Sequence, residues 1–553
     1  MERVVPTLLT DLYQFTMAYS YWKGGRQREP AEFELFFREP PFRGGFSLFF
    51  GLHECLLFLR SFCFSKEDIE YLESVLPSSV EKAFFDYLRT VDASEVTLSS
   101  VPEGSVVFAK VPLLKVRGPL LVVQLLETTL LCLVNYASLV ATNAARFRQA
   151  AGPDKKLLEL GLRRAQGPNG GLSASKYSYM GGFDYTSNVL AGKLCGIPVA
   201  GTVAHSYVTS FSSLEEVRPR TLRHVNGKDP AVDLVSLAKA WLARVCSLLQ
   251  VPMNQVNCGE LAAFISYGIA FPHNFLVLVD TYSVMRSGIP NFCTVALMLQ
   301  ELGYQALGIR LDSGNLAKQS VEIRCIFRSC AAHFGIPWFQ NLSIAVSNNI
   351  SEQSLLELMV QENEINVIGV GTNLVTCLTQ PSLGCVYKLV QVKCCPRMKM
   401  SEDPEKMTLP GSKRVYRVYD SAGHSLLDLM ALEEESPLQA GQEVEFLVLG
   451  RSEMEKVTAG AVEVLHRVYF RDGQICEHLP TIAEIRNHVQ TSLSKLSPVH
   501  RRLHEPQPYK VAVTEKLHLL INSLQMNNHL QRPRAHSPSC GNTLRPPVTL
   551  GPV

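Results

Sequence analysis

The sequence has no CxxC pair, no excess of either charge, no unbroken apolar run of membrane-spanning length, and no GxGxxG after its first strand-like segment. Each absence closes off a class. Without paired cysteine spacing, a zinc site of that kind is excluded. The fifteen cysteines are odd in number and scattered, with Cys132, Cys293 and Cys325 inside apolar runs. That fits reduced, packed thiols better than a disulfide framework. A net charge of +2 gives no field for gathering nucleic acid. The most apolar run, Gly118 to Val134, is broken by Gln124 and Glu127. It is expected to be buried inside the protein, so no membrane partner is expected. "MERVVPTLLTDLYQFTM" carries charge early and lacks an h-region, which makes the expected location cytoplasmic, in the cytosol. No repeat of fixed short period is present.

What is there is ordinary globular composition, 46% hydrophobic and 19% charged over 553 residues. That length predicts two to four domains. The middle third has a rhythm. Five apolar runs end in polar residues: Ile197–Ser206, Phe275–Ser283, Ala306–Asn315, Leu342–Ile350 and Ile365–Asn373. Helical patterns separate the later ones. Such runs read as strands buried on both faces, and repeated β-α units mean a parallel sheet. Polar residues at so many strand ends favour an irregular β/α barrel over an open doubly wound sheet, because a barrel assembles its site from strand ends. The flanks alternate differently and predict mixed α+β layers. The expected division is an N-terminal mixed domain over 1–180, the barrel over 181–400, C-terminal strands and helices over 401–525, and a disordered tail over 526–553. The tail is rich in Pro, Ser and Asn and has no acidic residue.

Some residues stand out by type and spacing. In "AGTVAHSYVTSF", His205 follows a strand-like run with hydroxyl residues around it. Arg310 and Asp312 are two apart, so on a strand they share a face. Asp280 ends another run. "GVGTN" offers two glycines where backbone N–H groups can approach a phosphate. Taken singly, each also reads as ordinary structure: a histidine bonded to a carbonyl, an ion pair, a tight turn.

The motifs resemble, in order, those of the nicotinate phosphoribosyltransferase family: "TDLYQFTM", "FELFFR", "SLVATNAAR", "LGLRRAQGPNGG", "GGFDYTSNVLAG", "AGTVAHS", "DTYS", "GIRLDSGN", "VSNN", "GVGTN" and "KMSEDPEKMTLPGSKRVYR". The likeness runs from about Thr7 to Leu524. It implies a type II phosphoribosyltransferase fold, a barrel with a flanking α+β domain built from N- and C-terminal segments. It also implies a homodimer with sites at the subunit interface. The implied reaction joins nicotinate to phosphoribosyl pyrophosphate, giving nicotinate mononucleotide and pyrophosphate for NAD synthesis. ATP is the co-substrate, and Mg²⁺ or Mn²⁺ the metal.

By the same resemblance, Arg310, Thr202 and Ser187 serve the nicotinate carboxylate, and Tyr13 stacks on the ring from across the dimer. Arg163, Asn348, Gly371 and Thr372 serve the phosphoribosyl group. Of the adjacent Arg163 and Arg164, at most one is expected to reach the phosphates. Asp280 and Asp312 serve ribose and metal, and His205 becomes the phosphohistidine. Leu160 replaces an aromatic of the nicotinamide branch. Asn315 and Ser351 stand where the nicotinate branch commonly has Asp, which puts metal and ribose binding in question there. Two rivals remain: a nicotinamide-using enzyme, against which Ser187 speaks, and a catalytically silent nucleotide-binding regulator.

Overall fold

A computed structural model describes residues 5–403 and 406–530. Its centre is a curled sheet of six parallel strands: β1 (Lys156–Glu159), β2 (Tyr185–Thr186), β3 (Leu276–Leu278), β4 (Gly308–Leu311), β5 (Ser343–Val346) and β6 (Val367–Val370). The order across the sheet is β3-β4-β5-β6-β1-β2. Four of the five apolar runs become these strands for the expected reason. Val277, Leu278, Ile309, Leu311, Ile344, Val346, Ile368 and Val370 are all essentially inaccessible. The helices after β4 and β5 start where small polar side chains cap them. Asn315 accepts from the Lys318 N–H, and Ser351 from that of Ser354. The two departures from the family pattern are therefore N-cap positions, where Asn, Ser and Asp are near equivalents.

The fifth run behaves differently. Ile197–Ser206 is not a strand. Only Val199 bridges to Thr186, in parallel, and the chain then runs irregularly until His205 opens a short helix, His205–Thr209. Pro198 has no N–H to donate to a ladder. The segment instead fills the gap between the two edges of the curled sheet. Thr202 Oγ1 donates to the Leu276 carbonyl on β3 at 2.5 Å. A side chain closes the barrel where a ladder would have.

Two further sheets flank the barrel. A seven-stranded sheet joins Pro30–Phe37, Thr97–Ser100 and Leu114–Pro119 to Cys385–Val392, Cys395–Pro396, Arg467–Arg471 and Gln474–Ile475. A six-stranded sheet is built from strands between Lys413 and Thr514. The expected boundaries at 180 and 400 thus run through shared layers. β1 and Lys156 lie before 180 yet belong to the barrel, and Cys385–Val392 pairs with Pro30–Phe37. The last helix, Glu515–Leu530, takes in the first residues of the expected tail. The remainder of that tail lies outside the described residues.

The apolar run from Gly118 is buried as expected. It forms Leu120–Leu125 and the start of the helix Glu127–Ala151. That helix is long and apolar enough to cross a bilayer by length and composition, but 67% of its most apolar window is buried inside the protein. Its polar groups find partners. Ser138 and Thr142 accept the N–H groups of Phe50 and Leu48 at 2.9 Å each. It packs so closely on the helix Gly167–Gly181 that a Cβ at Gly181 would lie 2.5 Å from the Ala141 carbonyl. All fourteen cysteines among the described residues are free thiols, but Cys132 and Cys325 are exposed rather than packed.

Candidate active site

The C-terminal ends of the parallel strands open into a cavity of about 670 Å³. β1 contributes Leu160 and Arg163, β2 Ser187, and the closing segment Thr202 and His205. β4 gives Arg310 and Asp312, β5 Ser347 and Asn348, and β6 Gly371 and Thr372. Nine of the residues expected from the sequence therefore meet in one place. Asp280, at the end of β3, lies just beneath, its side chain only 2% exposed.

A chain of hydrogen bonds organises the floor. Asp280 Oδ1 lies 3.1 Å from His205 Nε2. A carboxylate only accepts, so Nε2 carries the proton and a neutral imidazole keeps its lone pair on Nδ1. The other oxygen of Asp280 accepts from the Asp312 N–H at 3.1 Å and from Ser313 Oγ at 2.6 Å. Asp312 Oδ1 in turn accepts from Ser347 Oγ at 2.7 Å. Three strand ends, β3, β4 and β5, are thereby tied together.

Arg310 is the contrasting group. Its Nε is buried without a partner, and its guanidinium makes no hydrogen bond among the described residues. Burial pulls its pKa below the ordinary value; Asp312 and Asp280 act against that shift, and Arg163 adds to it. A buried donor left unpaired costs free energy. It is the kind of group that a planar anion would satisfy.

The walls are held by strain and close contact. Asn348 and Asn349 both have positive φ, 156° and 46°, where L-residues are rare. Asn373 of the "GVGTN" turn pins them, donating to the carbonyls of Asn349 and Ile350 at 3.0 Å each. A Cβ on Gly369 would meet Leu160 Cδ1 at 2.5 Å, so glycine lets Leu160 sit on the cavity floor. Arg163, the one expected to reach the phosphates, and its neighbour Arg164 both line the cavity. They share a single short turn, Leu162–Arg164, which turns both toward the opening.

Tyr13 is not brought to this cavity. It sits 45% exposed on the helix Leu12–Lys23, and its phenol is pushed up by partial burial and by Glu127. Sequence reasoning also missed residues. Ser347 and Ser313 lie inside quoted motifs, so proximity alone could have raised them. Glu159 had no local signal. It is buried at the end of β1 and accepts from Ser175 at 2.8 Å, Thr186 at 2.6 Å and the Gly161 N–H. It fixes the turn that leads to Arg163.

The description of the N-terminal domain of nicotinate phosphoribosyltransferase matches residues 8–135, and that of its C-terminal domain matches residues 412–521. The bovine nicotinate phosphoribosyltransferase is 57% identical over 523 residues, covering 95% of this chain and 97% of its own. The chain belongs to the nicotinate phosphoribosyltransferase family. The Caenorhabditis elegans member is 49% identical over 536 residues, covering 95% of this chain and 94% of its own. The crystal structure of the human enzyme superposes with a TM-score of 0.86 at 54% identity, covering 94% of this chain and 100% of its own. A nicotinate-nucleotide pyrophosphorylase from Pyrococcus furiosus, 18% identical with a TM-score of 0.55, shares the fold. The irregular barrel with its flanking α+β layers is thus the family's architecture.

Proposed function

We infer that this enzyme joins nicotinate to phosphoribosyl pyrophosphate in NAD salvage, with Arg310 gripping the carboxylate. The observation that carries the substrate choice is the Arg310 guanidinium, its Nε buried and unpaired among the described residues, in a cavity that also presents the neutral hydroxyl of Ser187. A carboxylate satisfies that fork; an amide satisfies only part of it. The pyridine nitrogen attacks C1 of the ribose, a C–N bond forms, and the C–O bond to pyrophosphate breaks. The ribose carbon becomes positive on the way, so the protein's task is to position and to stabilise charge. Arg163, Arg164 and the "GVGTN" turn supply cations and backbone donors for the phosphates.

ATP enters through His205. Nδ1 attacks the γ-phosphorus, the N–P bond forms, and the bridging P–O bond breaks to release ADP. Asp280 steadies the imidazolium that results. For the metal, Asp312 keeps one carboxylate oxygen free of any partner among the described residues, whereas both oxygens of Asp280 are taken. The donor set therefore fits a largely hydrated Mg²⁺ or Mn²⁺ on Asp312 and substrate oxygens, with Asp280 acting through its hydrogen bonds. Bound there, the ion would neutralise charge on the leaving pyrophosphate.

A homodimer is part of the same reading. Leu9, Leu12 and Tyr13 are exposed on the N-terminal segment, and Val189, Leu190, Leu194 and Val199 are exposed beside Ser187. Exposed apolar patches of this kind suit a second copy of the chain, which would bring Tyr13 to the neighbouring cavity. The cytosol remains the proposed location.

The deciding experiment is pyrophosphate release by the purified chain with nicotinate and, separately, with nicotinamide. Nicotinate alone should support turnover. Equal turnover of both bases removes the carboxylate reading, and no turnover with either favours the silent regulator.

A further inference from the structure

Behind the His205–Asp280 pair lies a second buried carboxyl that the reaction does not use. Glu260 is wholly inaccessible, in the helix Cys258–Ala270. That helix is the common support of both partners. On one side a Cβ at its Gly259 would lie 2.2 Å from the Phe211 carbonyl, and Tyr207 donates to the Ala263 carbonyl at 3.4 Å. This contact holds the segment that carries His205. On the other side it grips the π-helical turn Val284–Gly288 that follows Asp280. Ser287 Oγ donates to Glu260 Oε2 at 2.5 Å and accepts from the Asn257 N–H at 2.9 Å. Asn291 Nδ2 donates to the same Glu260 oxygen at 3.0 Å and to the Asn257 carbonyl at 3.1 Å. The gripped turn sits hard against β3, since a Cβ on Gly288 would fall 1.9 Å from the Val279 carbonyl, one residue before Asp280. A π-turn at a strand end is a common mark of a functional constraint.

We propose that Glu260 is a positioning residue for the His205–Asp280 pair, locking the turn behind Asp280 to the helix that also carries the His205 segment. It does so as the neutral acid. Glu260 Oε1 and Asn291 Oδ1 are both buried acceptors, in the same cluster, without a donor among the described residues. A proton on Glu260 adds the one donor that the cluster lacks. Burial, helped by the charge of Asp280 and opposed by the bonds from Ser287 and Asn291, pushes this carboxyl up to about 7.

The test reads His205 directly and needs no turnover, so it stands apart from the functional reading on which the role of the pair rests. The full-length chain is treated with diethyl pyrocarbonate, and modification of His205 is followed by peptide mass spectrometry, with His424, whose side chain is about as accessible as that of His205, as internal control. Loosening the bond from Nε2 to Asp280 frees the ring and opens its second nitrogen to the reagent, so Glu260→Ala should raise the His205 rate by about threefold or more. The His424 rate should not move. Glu260→Gln, neutral and able to donate, should stay near wild type. In parallel, Glu260→Ala should lower ATP-stimulated kcat with the nicotinate KM unchanged. If Glu260→Ala does not fold, Ser287→Ala breaks the same link and should shift His205 in the same direction. A folded Glu260→Ala or Ser287→Ala protein with wild-type His205 reactivity overturns the positioning role. A Glu260→Gln protein that behaves like Glu260→Ala overturns the neutral acid.

Discussion

Replacing Arg310 by lysine isolates geometry from charge. Arginine presents a planar fork able to form two parallel bonds to a carboxylate, and lysine is a point charge on a flexible stem. The substitution keeps the cation and removes one of the two bonds. A charge-assisted hydrogen bond is worth about 1.5–3 kcal/mol, which converts to a loss of about 10- to 150-fold in kcat/KM for nicotinate. The fold should barely notice. The Arg310 side chain makes no hydrogen bond among the described residues, and its Nε is buried unpaired, so no internal bond is broken. A melting temperature within about 2 °C of wild type is expected. His205 should still take label from γ-labelled ATP, because its partner is Asp280 and not Arg310. The assay is steady-state formation of nicotinate mononucleotide by chromatography, with melting and labelling on the same preparations. A kcat/KM within threefold of wild type would refute the bidentate grip. A matching fall in melting temperature would instead mark Arg310 as structural.

Three further predictions stand on separate observations. Incubation with γ-labelled ATP and Mg²⁺ should give an acid-labile, base-stable label on His205 at Nδ1, since Nε2 faces Asp280; His205→Ala should lose the label and ATP stimulation while keeping some ATP-independent synthesis, and label on Nε2 would contradict the geometry. Mixing Tyr13→Ala with Arg310→Ala protein under subunit exchange should restore activity through one intact site per mixed dimer; no recovery despite proven exchange would confine Tyr13 to its own subunit. His466 is buried with Nε2 2.9 Å from the Pro112 carbonyl, and burial, helped by nearby Lys115, holds its pKa down to about 3. Below its unfolded value near 6.5, the unfolded chain binds a proton that the folded chain refuses. The stability from His466 is therefore complete above that value and is lost as pH falls toward 3. His466→Gln should flatten the melting temperature over that window, and an unchanged slope would show that His466 does not titrate in this way.

Much of the site was legible along the chain because strand-end chemistry is local. Arg310 and Asp312 share a face by the period of two that any strand imposes, and their neighbours Ile309 and Leu311 are buried as that alternation requires. The apolar runs announced four barrel strands by their length and their polar ends. β1 went unread because Lys156 and Glu159 leave only two apolar residues in it, and β2 because two residues carry no pattern. Ile197–Ser206 was misread for the opposite reason. Its composition suits a strand, but Pro198 cannot donate to a ladder, and the segment ended as a seam.

By itself, the sequence determined which chemistry the strand ends carry, which segments must be buried, and which small polar residues cap the helices. Each depends on neighbours a few residues apart. The tertiary structure alone decided that Thr202 closes the barrel on Leu276, 74 positions away, and that His205 meets Asp280, 75 positions away. It also decided that Glu159 and Glu260 stand buried behind the cavity and that the two arginines of one turn face it together. No local pattern encodes such pairings. They are set by where a twisted sheet curls back on itself, and that depends on the packing of the whole core at once.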